Sequence, residues 1–405
     1  MTSVPVVPNH HPQNAGVAPL RSLLTLTFFG SISGGAFWSG IFFITARHYH
    51  FSPVRNLALA ASMGFVYAIA ARSAGGVQRW LARWMAPRTM LATTLSTWGI
   101  AALLPLLGRD HEAWIWGAAW LGSVSSALTW PVVESFLGGG RHGADMRRAL
   151  GRFNMTWTSA TAVPLLVLPL LAQVDELLTI TMSAAANLVA LIALSRLPRH
   201  PGAADVEASV AAVGREYPQL KQAASWLLPL AYLMSSTLAP LLPHRLAALG
   251  GTTAASVIAA LWMVARFGTL AVMARVHFWH GRWGALVAAA MALCGGLAVV
   301  LLSSSLVGVI AGLLIFGAGT GLTYYAAIYY SLAVGHAAVD AGGGFEALIG
   351  VGYCAGPLIG LIGQVLGRPD PATARTYTVG LIWLAAVYFV SRTVPPFLKA
   401  RRARA

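Results

Sequence analysis

Mostly apolar runs of eighteen or more residues recur along nearly the whole chain, and this recurrence excludes most folds before any motif is read. A run of that length, wound as a helix, crosses a hydrocarbon core of roughly 30 Å. A membrane β-barrel would show alternating segments of about ten residues, and no such pattern is present. The one long polar interruption, Arg196 to Gln222, falls near the middle of the chain. Charged residues make up only 10% of the sequence, where a soluble protein carries about 25%. The expected fold is therefore an all-α polytopic membrane protein.

Twelve apolar spans are expected. Six lie before the polar stretch, near 22–46, 54–71, 89–107, 113–137, 151–172 and 177–195. Six follow it, near 225–242, 252–274, 284–302, 306–332, 345–366 and 375–394. Gly108–Glu112 and Ser303–Ser305 are short enough to demand tight hairpins. Around the spans lie a polar leader at 1–21, a linker at 196–224 and a basic tail at 395–405. The bundles are then 22–195 and 225–394. Tyr217-Pro218 is expected to form an irregular turn ahead of the seventh span, after an amphipathic stretch, Ala204 to Tyr217.

The net charge of +15 is unevenly placed. With the N-terminus inside, the inner segments collect Arg72, Arg79, Arg83, Arg88, Arg141, Arg147, Arg148, Arg152, Arg275, Arg282 and the tail, while the basic residues of the outer loops are offset by Asp110, Glu112, Asp175, Glu176 and Asp370. Basic residues concentrate on cytoplasmic loops, so both termini are expected in the cytoplasm of a plasma (inner) membrane protein. Nucleic-acid binding would need aromatic and basic residues interleaved on a soluble surface, which is absent. Cys294 and Cys354 sit singly within apolar runs, and no metal or cofactor motif is found.

The halves match each other. Arg72 and Arg79-Trp80 after the second span lie over Arg275 and Arg282-Trp283 after the eighth. Gly117 and Gly122 lie over Gly312 and Gly317, placing Trp130 over Tyr325 and Glu134 over Tyr329. Pro164 then aligns with Pro357. Two pseudo-symmetric six-helix bundles related by an axis along the membrane normal are a repeat pattern of secondary transporters.

With these residues in view, the chain resembles the major facilitator superfamily over almost its whole length. That resemblance implies alternating access to a central cavity, with cytoplasmic gating loops after the second and eighth spans (Arg72, Arg79, Arg83, Arg275, Arg282). The acidic residue usual in the first of these loops is missing here. The resemblance also implies helix packing and hinge positions at Pro164, Gly352, Gly356, Pro357 and Gly360.

Among intramembrane polar groups, Glu134 and Glu346 are the proton-coupling candidates, because an ionisable group at depth needs a partner or an aqueous route. Pairing of Glu134 with Arg147, Arg148 or Arg152 is the structural alternative. Glu346, read as lying near the start of the eleventh span, would otherwise be held by free helix N–H groups. Arg266 is the basic residue well inside a span, suited to an anionic solute or an acidic side chain. Trp130, Asn154, Trp157, Tyr324, Tyr325 and Tyr329 complete the candidate cavity lining, with Trp130 and Tyr325 facing each other. Phe37, Trp38, Phe42 and Phe43 read mainly as packing or lipid contact, with cavity lining as the alternative.

The function expected is secondary transport of a small polar or amphipathic organic solute by a monomer in the lipid bilayer, coupled to protons through these acids. It is not expected to be an enzyme and no nucleic-acid partner is expected. The alternatives are a non-transporting receptor-like protein and a membrane-embedded lipid-modifying enzyme.

Overall fold

The computed structural model describes residues 15–141, 143–202, 216–250, 254–334 and 339–402. The leader before residue 15, most of the amphipathic linker stretch and the last three residues of the tail lie outside the described residues. The first half contains α1 (Leu20–Arg47), α2 (Pro53–Leu81), α3 (Pro87–Leu107), α4 (Glu112–Gly138), α5 (Gly143–Leu171) and α6 (Leu178–Leu194). The second contains α7 (Tyr217–Ala247), α8 (Ala255–Arg275), α9 (Trp283–Leu302), α10 (Leu306–Val334), α11 (Val339–Leu366) and α12 (Pro371–Ser391). A short amphipathic helix, α13 (Val394–Arg402), follows.

Among the described residues, ten helices are long and apolar enough to cross a membrane. α6 is apolar but shorter, and α4 is diluted by Trp, Ser and Glu. The outward faces carry exposed Phe65, Ile69, Ile100, Leu188, Ile192, Leu384 and Val387. Such a surface suits lipid, where each helix satisfies its own backbone.

Local chemistry sets the helix ends. Ser52 caps α2 by accepting the amide of Arg55, and Asp370 caps α12 by accepting those of Ala372 and Thr373. Proline follows the cap in both, where its missing N–H leaves no bond unmade. The same rule corrects the reading of Tyr217-Pro218: Pro218 opens α7 in its first turn. Both short connections do form tight turns, with His111 donating to the Gly108 carbonyl and Ser303 Oγ accepting from the Ser305 amide.

The packing repeats between halves. α1 lies on α5 and α6, α3 on α4 and α6, and α2 on α4; α7 lies on α11 and α12, α9 on α10 and α12, and α8 on α10. The halves meet along two seams, α2 with α11 and α5 with α8, which exchange under the same repeat. α11 runs unbroken through Pro357, and its glycines bring it close to its neighbours: a methyl on Gly352 would lie 2.7 Å from the Pro229 carbonyl oxygen, and one on Gly360 2.7 Å from Leu57. Pro164 sits within α5, beside Gly40 of α1.

At the end of the bundle that holds the linker, arginine fastens loops. Arg141, 6% exposed, donates to the carbonyls of Phe136 and Leu137 at 3.0 and 2.9 Å and also to that of Ala18. Arg88 donates to the Leu197 carbonyl at 2.9 Å. The strands β1 (Ala15–Gly16) and β2 (His200–Pro201) pair in parallel beside them. The last residues of the leader are thus tied to the start of the linker. At the far end, Arg47–Glu176, Arg55–Glu112 and Arg109–Asp175 pair the loops of the first half.

Candidate functional site

A cavity with about 1120 Å³ of empty space, part of it open to solvent, lies between the halves. Its wall comes from α1, α2, α4 and α5 on one side and from α7, α8, α10 and α11 on the other. Toward the far end the halves are bolted together. Asn56 of α2 donates to the Phe42 carbonyl at 3.1 Å and to the Pro240 carbonyl of α7 at 3.3 Å, and its Nδ2 lies 3.3 Å from His244 Nε2. Thr45 in turn donates to Asn56 Oδ1 at 2.6 Å.

Aromatic rings make most of the wall. α1 contains a π-helical turn at Ala36–Gly40, and the local change in winding carries Trp38 to the cavity while Phe37 stays in the core. Trp38 stacks on Tyr353 of α11, with ring centroids 4.1 Å apart and planes 15° from parallel. Tyr67 and Tyr232 meet Tyr353 edge-on at 5.5 and 5.3 Å. On the other side, Trp157 of α5 meets Tyr324 of α10 at 5.1 Å. Each of these two clusters bridges the halves.

The acidic and basic side chains among the described lining are Glu134, Arg266 and Glu346. Glu346, 6% exposed, accepts a hydrogen bond from the Tyr67 hydroxyl across the α2–α11 seam. α11 begins at Val339 and passes through the three glycines, so Glu346 sits two turns inside it and the helix-start reading does not hold. Glu134 lines the cavity from α4 with no ion pair among the described residues; Arg147, Arg148 and Arg152 are exposed to the outside instead.

Arg266 is 7% exposed. Its guanidinium lies 4.4 Å from the Trp157 ring centre and 4.8 Å from that of Tyr324. Nη2 reaches the Tyr232 hydroxyl at 3.5 Å, and the buried Nε–H has no acceptor. No carboxylate lies within ion-pair distance of it among the described residues, so it is paired with neither Glu346 nor Glu134.

The structure therefore gathers Trp130, Glu134, Trp157, Arg266, Tyr324 and Glu346 around one cavity. It places others elsewhere. Asn154 is buried behind the wall, where its Oδ1 accepts the Trp157 indole N–H at 3.1 Å and fixes that ring. Tyr325 does not face Trp130: one residue is a turn of about 100° on a helix, and Tyr325 packs against Trp279, 5.6 Å away, while Tyr324 takes the cavity. Tyr329 belongs to a cluster near the linker end, stacked on His280 at 4.3 Å and beside Tyr217 and Tyr330. Burial and the neighbouring His277 hold the His280 imidazole below its ordinary pKa. Arg72, Arg79, Arg83, Arg275 and Arg282 are all exposed at the linker end, with Arg72 and Arg79 on an α2 that continues to Leu81 where a loop was expected. Tyr67, Tyr232, Tyr353, Ser235 and Ser236 are lining residues that sequence reasoning missed. Nothing in the apolar spans around them marks their side chains as facing a cavity.

No protein-family model matches the chain, and no curated protein sequence does. Solved structures do. The nucleoside transporter NupG superposes with a TM-score of 0.68 at 13% identity, over 93% of this chain and 98% of that one. A structure of proton dependent oligopeptide transporters gives 0.68 at 11% identity, over 95% and 98%. A bacterial homologue of the human lysosomal transporter Spinster, inward-facing and occupied, gives 0.65 at 15%, over 95% and 99%. The likeness is one of fold, end to end.

Proposed function

Taking as premise that the chain has the major facilitator superfamily fold, we propose that it is a secondary transporter that moves a small organic solute by alternating access. The observation that carries this reading is the cavity walled by four helices from each half, with Trp38 stacked on Tyr353 across the division. Rocking of the halves about the α2–α11 and α5–α8 seams would expose that cavity to each side in turn. In this reading all twelve long helices span the bilayer, the linker and both termini are cytoplasmic, and the monomer is the working unit. The Asn56–Pro240 closure then seals the outer side.

The solute is a polar or amphipathic organic molecule, since the wall is mainly aromatic and hydroxylated. Protons are the coupling ion, carried by Glu134 and Glu346. Glu134 makes no ion pair among the described residues and can change protonation without dismantling one, while Glu346 accepts a hydrogen bond from Tyr67 across the seam. A receptor would bind without net flux, and an enzyme would convert solute without moving it.

The test uses purified protein in proteoliposomes. Glu134→Gln should abolish accumulation driven by a pH gradient and preserve solute-for-solute exchange. Accumulation with unchanged pH dependence in Glu134→Gln removes Glu134 from the coupling step.

A further inference from the structure

Arg266 is a buried cation with no ion-pair partner among the described residues. An arginine carries its charge at any relevant pH and presents five N–H groups in a planar fork. Here the guanidinium lies over the rings of Trp157 and Tyr324, while its N–H groups have one 3.5 Å contact to a neutral hydroxyl among the described residues. Nε–H is buried without an acceptor. A buried charge with no counter-ion is strongly destabilising, and it persists where a ligand completes it. The two carboxyls of the same cavity do not complete it: Glu346 is engaged by Tyr67, and Glu134 makes no ion pair among the described residues.

On this basis we propose that Arg266 is the docking point for the carboxylate of an aromatic monocarboxylic acid, whose ring lies among Trp38, Tyr67, Tyr232 and Tyr353. The assignment rests on the transporter reading for its physiological meaning, though not for its geometry. Three observations narrow the class. The planar fork favours a planar, bidentate acceptor, which a carboxylate supplies. Arg266 is the single basic residue in the described lining, beside two carboxyls, so a dianion such as a phosphate monoester would bring excess negative charge. Trp38, Tyr67, Tyr232 and Tyr353 join helices of both halves, so a ring seated there touches both at once. An organic cation is disfavoured because the faces of Trp157 and Tyr324 are already occupied by the guanidinium.

The experiment compares phenylacetate, phenylacetamide and phenethylamine, three probes of similar size that differ in charge, by calorimetric titration and thermal stability of the detergent-purified full chain. Phenylacetate should bind and stabilise, and the other two should bind at least about tenfold more weakly, the loss expected when a charge-assisted hydrogen bond is not made. Arg266→Gln should erase the preference for the acid, and Arg266→Lys should keep part of it, with charge but no fork. Equal binding of acid and amide, preference for the amine, binding of none of the three, or an undiminished acid preference in Arg266→Gln overturns the assignment. The wild-type comparison stands alone if a variant fails to fold. Selective acid binding with no flux in proteoliposomes would refute transport and leave the site. Flux of another solute untouched by Arg266→Gln would refute the site and leave transport.

Discussion

Gly64 lies midway along α2, against the backbone of α11 in the seam that joins the halves. A methyl group added there would sit 2.7 Å from the Cys354 amide nitrogen and closer still to the Tyr353 carbonyl, where real side-chain carbons do not go. The obstacle is main chain, so no rotamer change relieves it, and α2 and α11 must part. Overpacking of this kind costs about 1–3 kcal/mol, a factor of about 5 to 150 in an equilibrium. The control is Gly117→Ala on α4, where no heavy atom lies within 4 Å of the added carbon and alanine should gain about 0.5–1 kcal/mol over glycine. Gly64→Ala should unfold earlier than both wild type and Gly117→Ala in a denaturant titration. Its native Cys354 should react faster with a polar maleimide, while Cys294, on α9 away from the seam, keeps its rate. A Gly64→Ala protein as stable as Gly117→Ala, with unchanged Cys354 labelling, would refute a seam packed at backbone contact.

Two further outcomes follow from the linker end, beside those given above for Glu134 and Arg266. Arg141→Ala removes a buried guanidinium from three carbonyls and should lower unfolding stability by about 2 kcal/mol or more, with faster proteolysis near Ala18; equal stability would show that water replaces the guanidinium freely. His280 has a folded-state pKa below its ordinary 6.5, so its neutral form is the one packed on Tyr329. The stability it supports is intact above pH 6.5 and declines as pH falls from there toward the folded pKa, because the unfolded chain takes the proton first. Denaturation midpoints from pH 8 to 5 should show this decline in wild type and a shallower one in His280→Gln; parallel curves would exclude His280.

The span positions, the pairing of halves and the short hairpins were legible in the sequence, since each is local. Eighteen apolar residues make a helix wherever they are placed, and proline or a capping side chain ends it within a turn. Glu134, Arg266 and Glu346 were legible as unusual because charge at membrane depth is rare. Which way each helix faces was not. In water a helix shows its buried side as an apolar stripe, but lipid is as apolar as a protein core, so lipid-facing and core-facing residues look alike. That is why Tyr325 and Tyr329 read as cavity lining alongside Tyr324, and why Tyr67, Tyr232 and Tyr353 pass unnoticed on three separate helices. The sequence by itself determined that the chain is a series of long apolar helices arranged in two matching sets. Only tertiary packing decided their rotation, through backbone contacts such as Gly64 on Tyr353, and with it the company Arg266 keeps: the rings of Trp157 and Tyr324 beside it and, among the described residues, no acid within ion-pair distance.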